Sequence, residues 1–168
     1  MALFNQDVQD FINNKLKNAL TFFKRAICEL QVPNKIKAAK KQIIKKNLLN
    51  KLKPCDYNLR IASESAWGAT ICAIDALISS ENIQHPIIFG TKRTILLKEL
   101  ARNSIGNILS DILDKYEIRM TILHGKCFYD GICTEPNYNI EKMIWTTIQL
   151  IRDINDYIKN SPSPYNGL

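Results

Sequence analysis

Two histidines occur in the chain, and one of them, His124, stands five residues after an arginine in the run RMTILHGKCFYDG from Arg119 to Gly131. An imidazole titrates near neutral pH, so it can move a proton on or off the attacking 2′-hydroxyl or the leaving 5′-oxygen of a phosphodiester. A guanidinium fork can bind phosphate oxygens as charge builds on them. Together they suit phosphodiester chemistry that needs no metal, with His124 as general acid or base and Arg119 as phosphate clamp. Tyr129 would add a positioning hydroxyl or a stacking ring, and Lys126 and Lys92 would steer the substrate backbone. A plainer reading stays open beside this one. His124 could be a boundary histidine bonded to a backbone carbonyl, and Arg119 could pair with a helix acid such as Glu117.

These residues fall on a predicted helix over residues 104 to 130. Its apolar side chains Ile105, Leu109, Ile112, Tyr116, Met120, Leu123 and Cys127 step by four and three along one stripe. At about 100° per residue, Arg119 lies some 60° to one side of that stripe and His124 about 80° to the other. They border the seam rather than share a face. Across a two-fold contact the arginine of one subunit would approach the histidine of the other. Gly131 stands where a left-handed helix cap belongs.

The remaining elements are helical too. Residues 4 to 31 repeat apolar side chains at helical steps until Pro33. Asn34 can cap a basic helix over 35 to 52 that Pro54 ends. Lys40, Lys41 and Lys45 on that helix could grip phosphates, or serve as a solvated face whose stems cover the core edge. A helix over 56 to 80, with Asp56 as candidate cap, is apolar on two sides. Its Ala62, Ala66, Ala69 and Ala73 allow close approach by a neighbour, which marks it as central. Trp67 reads as a core anchor there.

The segment 81 to 91 is a loop that holds His85, read as a surface residue. A short helix over 91 to 101 follows, in which Lys92, Arg93, Lys98 and Arg102 form a second basic surface. The last helix covers 139 to 160, and the tail from Ser161 is polar and broken by proline. No segment of strand period and no internal repeat appears. The expected fold is all-α, an up-and-down helical bundle. It divides into an N-terminal helical extension (1–33), the bundle (34–160) and a flexible tail (161–168).

The formal charge of +7 favours an anionic partner such as RNA or a nucleotide, unless a lysine-rich composition merely reflects the genome or a hot habitat. Five cysteines, none in a CxxC pair, offer no zinc framework, and no metal or cofactor is expected. Cys28 and Cys72 fall at apolar helical positions and read as small core residues. Cys127 and Cys133 could bridge a helix end to a loop, although reduced thiols are expected in a cytoplasmic protein. No apolar run long enough to span a membrane and no signal peptide are visible, so the expected location is the cytoplasm.

Arg-x4-His near the end of a bundle helix resembles the signature of the HEPN superfamily. The segment LHGKCFYD from Leu123 to Asp130 is similar to the LH-x-NFYE element of its archaeal PaREP branch. Asp56-Tyr57 with ASESAWGA from Ala62 to Ala69 is similar to that branch's GDY…ASEKAWGA element. The resemblance covers roughly residues 35 to 158. It implies a helical homodimer in which Arg119 and His124 cleave RNA without metal and leave a cyclic phosphate. Alternatively it implies a non-catalytic nucleotide- or nucleic-acid-binding module or helical adaptor, paired as one half of a toxin–antitoxin system with a nucleotidyltransferase. This chain departs from the pattern at Met120, where a polar residue is usual, and at Lys126 or Cys127, where the family has asparagine.

Overall fold

A computed structural model of the chain describes residues 2–30, 54–81, 90–104, 107–134 and 136–161. The expected lysine-rich helix over 35–52, His85 and the tail beyond Ser161 lie outside these residues. The described chain forms an all-α helical bundle with no β-strand among the described residues. Its helices are α1 (Ala2–Leu30), α2 (Pro54–Glu81), α3 (Gly90–Asn103), α4 (Ile108–Arg119), a π-helix (Met120–Tyr129), α5 (Ile140–Trp145) and α6 (Thr147–Asn160).

The central element is α2, because small and branched apolar residues occupy nearly its whole circumference. Ala62, Ala66, Ala69, Ala73, Ile74, Leu77 and Ile78 are all fully buried. The alanine stripe lets α1 lie close, and Ala19 and Ala26 of α1 enter the core at 0% exposure. At Gly68 the approach is tightest, since an added Cβ would sit 3.2 Å from the Phe22 ring. Over Tyr57–Glu81 this helix is long and apolar enough to cross a bilayer, but 78% of that window is buried within the protein. Its apolar character is therefore that of a core helix. Hydroxyls inside it bond back to the preceding turn, Ser63 to Leu59 O at 2.8 Å and Thr70 to Ala66 O at 3.0 Å.

Pro54 opens α2, a position that suits it because the first turn of a helix has no use for the missing N–H. Asp56 accordingly falls within the first turn and is not the cap. A second correction concerns Arg93. The expected basic surface of α3 loses it to the core, where it is 8% exposed and donates to Asp75 of α2 at 2.6 Å. Lys15 of α1 reaches the same carboxylate at 3.0 Å. One buried acid thus ties three helices together, and a charge seldom lies this deep without such a partner. Lys92, by contrast, is exposed on α3.

The predicted helix over 104–130 keeps its buried stripe but not its pitch. Leu109, Ile112, Tyr116, Leu123 and Cys127 are all essentially inaccessible. After Arg119 the backbone widens into π turns as far as Tyr129, and the last of them closes with Asp130 N–H donating to Gly125 O at 3.1 Å. Gly131 then takes φ 71°, the left-handed conformation expected of it.

The predicted final helix is likewise divided, into α5 and α6, with Thr146 at the break. Asn139 caps α5 by accepting from Lys142 N–H at 2.8 Å. The break has an identifiable cause. The Met143 carbonyl accepts from the hydroxyls of Thr146 and Thr147, both at 3.1 Å, and the Arg119 guanidinium reaches into the same place. Side chains inserted among the backbone bonds of a helix are a standard origin of a sharp bend.

Cys127 and Cys133 form a disulfide, in place of the reduced thiols expected. In the chain-entropy picture a 15-residue loop is worth about 3 kcal/mol, so a bridge between residues six apart is worth less and acts locally. Cys72 is half-buried against the core, but Cys28 is exposed on α1, contrary to the core position its spacing suggested. A helix buries only one side here, and Cys28 falls on the side opposite Ala19 and Ala26.

Candidate functional site around His124

Three residues of α2 at positions 60, 64 and 67 share one face of that helix, by the i, i+4, i+7 rule. Arg60 holds the end of the π-helix, while Glu64 and Trp67 both meet His124. Arg60 donates through Nε at 3.0 Å and Nη2 at 2.5 Å to the Phe128 carbonyl, with Nη2 also 3.5 Å from the Tyr129 carbonyl. Carbonyls at a helix end have no partner within the helix, so this guanidinium caps the π-helix. Glu64 Oε2 lies 2.8 Å from His124 Nδ1. Trp67 is buried, with its ring centroid 5.3 Å from that of His124 at an interplanar angle of 29°.

The imidazole therefore sits in an aromatic surround with a carboxylate on one side. Phe128 lies nearly parallel to it at 6.3 Å, and Tyr129 meets it edge-on at 4.8 Å. Trp67 also packs against Tyr116 of α4 at 5.3 Å, which joins the surround to the core. An ionised carboxylate only accepts hydrogen bonds, so Glu64 selects the tautomer with the proton on Nδ1. Nε2 is left as the nitrogen able to take up or deliver a proton. The His124 side chain is 29% exposed and Glu64 37%, so solvent reaches the pair. Tyr129 is 65% exposed and presents its ring outward.

Arg119 goes elsewhere. It is 5% exposed and donates to Lys115 O at 3.1 Å, Thr146 Oγ1 at 3.1 Å, Thr147 Oγ1 at 3.5 Å and Met143 O at 3.5 Å. Burial lowers its guanidinium from its ordinary value to about 10, which leaves it charged at neutral pH. Its partners lie on α4, α5 and α6, whereas those of His124 lie on α2 and within the π-helix. Within one chain the two share no partner. Glu117, the acid considered for Arg119, pairs with Lys98 at 2.8 Å.

Of the residues expected to bind nucleic acid, Lys126 is half-buried on the π-helix near His124, Lys92 is exposed on α3 and Arg93 is held by Asp75. Lys40, Lys41 and Lys45 lie outside the described residues. Among the described residues no group of three histidine, cysteine or acidic side chains is placed to hold a metal ion.

Sequence reasoning gave no role to Arg60 or Glu64. Glu64 lay within the ASESAWGA stretch, and the available signal was an acid beside Trp67 on a helix otherwise apolar on two sides. Comparison with family models, with curated proteins and with solved structures finds no match to this chain.

Proposed function

We propose that this bundle acts on RNA through His124, as a metal-independent endoribonuclease of the HEPN type. The carrying observation is the 2.8 Å contact between Glu64 and His124, which fixes the ring and its tautomer while Nε2 stays available. In the reaction Nε2 takes the proton of the 2′-hydroxyl as that oxygen attacks phosphorus. The 5′-oxygen leaves with a proton from water, a 2′,3′-cyclic phosphate remains, and Nε2 returns its proton to solvent. Tyr129 offers an exposed ring on which a base can stack. Lys126 and Lys92 supply positive charge for the backbone. Arg119 supports the site from beneath, by bracing the helix end from which the π turns begin. The resemblance implies a homodimer, in which two such sites would be paired.

A second reading is favoured by the burial of Arg119. With the Arg119 guanidinium held among α4, α5 and α6, the same surface serves as a non-catalytic RNA- or nucleotide-binding face. The deciding experiment incubates RNA with the protein in EDTA. Cleavage that leaves cyclic phosphate ends and disappears in His124→Ala supports the nuclease. Intact RNA retained in a salt-sensitive complex supports the binding module, and neither outcome leaves a helical adaptor.

A further inference from the structure

The Cys127–Cys133 bridge lies immediately beyond the aromatic surround of His124. Cys127 is three residues after the imidazole, and Phe128 and Tyr129 follow it directly. The two cysteines differ in exposure. Cys127 is fully buried, while Cys133 keeps 7% of its surface and lines an open groove of about 630 Å³ shared with Leu59, Pro136 and Tyr138. A nucleophile arriving through the groove meets Cys133 first.

The departing side is also prepared. The Ser63 hydroxyl lies 3.1 Å from Cys127 Sγ and 2.8 Å from Leu59 O. It has a single proton, which rests on the carbonyl while the bridge is closed. A thiolate on Cys127 would be the stronger acceptor and would draw that proton across.

We propose that this bridge is a thiol–disulfide exchange site, opened by a dithiol reductant at Cys133, and that opening it releases the Phe128–Tyr129 side of the surround of His124. The reductant's thiolate attacks Cys133 Sγ, a mixed disulfide forms, and Cys127 leaves as a thiolate. The reductant's second thiol then attacks its own sulfur in the mixed disulfide. It departs as a cyclic disulfide and leaves Cys133 reduced, the dithiol's two electrons having passed to the protein and its two protons having followed by way of water. The proposal is independent of what His124 does chemically.

The test uses a monothiol to stop the reaction halfway. Oxidised, folded protein carrying Cys28→Ser, which removes the exposed free thiol, is mixed with reduced glutathione, quenched in acid and mapped by peptide mass spectrometry. Glutathione on Cys133 with Cys127 free is the expected result, and Ser63→Ala slows its appearance about tenfold, the worth of one such hydrogen bond. Glutathione first on Cys127, or reaction only after denaturation, overturns the exchange site. In parallel, full reduction should shift the ring resonances of His124 and Tyr129 in NMR spectra. Unchanged resonances after reduction overturn the link to the surround.

Discussion

Glu64 and His124 are 60 residues apart in sequence and 2.8 Å apart in space, on two helices that bury the rest of their common face. The carboxylate contributes orientation, and it has no other charged partner among the described side chains. Under the nuclease reading, Glu64→Gln keeps the shape but no longer imposes the tautomer, and RNA cleavage should fall by about 10²-fold, with His124→Ala abolishing it. Rates in EDTA for both variants check this, with circular dichroism confirming that each is folded. Undiminished cleavage by Glu64→Gln would remove the carboxylate from the mechanism.

The guanidinium of Arg119 is a brace whose charge opposes folding. Arg119→Ala leaves a void beneath the α5–α6 bend and should cost about 2–4 kcal/mol in urea denaturation. Arg119→Met fills the space, and the two threonine hydroxyls keep the Met143 carbonyl as acceptor. Its cost should stay within about 1.5 kcal/mol.

The same residue fixes a pH dependence. Its folded-state value of about 10 lies below the ordinary value of a guanidinium, so above about pH 10 the unfolded chain binds more protons than the folded one. Stability from this group therefore rises with pH there. Wild type should gain on Arg119→Met as pH climbs through about 10, where each is measured by chemical denaturation. A gap that does not move would place the guanidinium in better contact with water than its burial indicates.

Asp75 pairs with the buried Arg93 and with the half-buried Lys15. Asp75→Asn leaves two cations facing an amide and should destabilise the fold by about 3–5 kcal/mol. Replacing Arg93 alone by methionine should cost less, because Lys15 still answers the carboxylate. Equal losses in thermal melts of the two variants would contradict this arrangement.

The two free thiols should separate cleanly by rate. Burial raises the Cys72 thiol above its ordinary value, with Asp75 adding to the rise and Lys15 and Arg93 opposing it, whereas Cys28 is exposed. Thiolate is the reactive form, so iodoacetamide at mildly alkaline pH should label Cys28 well before Cys72. Peptide mapping over a time course reads the order directly.

Much of this architecture was legible because apolar spacing reports which side of a helix is buried. The stripe through Leu109, Ile112, Tyr116, Leu123 and Cys127 is buried as read, and so are the α2 alanines and Trp67. What spacing cannot report is the partner across the interface. Arg93 reads as a surface cation until Asp75 is known to sit opposite, although an acid amid ATICAIDALI was itself a sign of a buried pair. The change of pitch after Arg119 was illegible for a related reason, because steps of three and four in residue type persist through either kind of turn. Within one chain His124 finds its partners on α2 and Arg119 on α4, α5 and α6. Glu64 was missed because its role exists only through a contact 60 positions away.

The widened turns from Met120 to Tyr129 make chain length a determinant of the site. Each residue there advances the helix through a smaller arc than it would at normal pitch, so the stretch accommodates more residues than a regular helix of the same number of turns. Deleting the exposed Thr121 would let the segment tighten, carry the imidazole round past the carboxylate and draw the disulfide loop after it. The count of residues between two fixed ends, as much as their identity, is what holds His124 over Glu64.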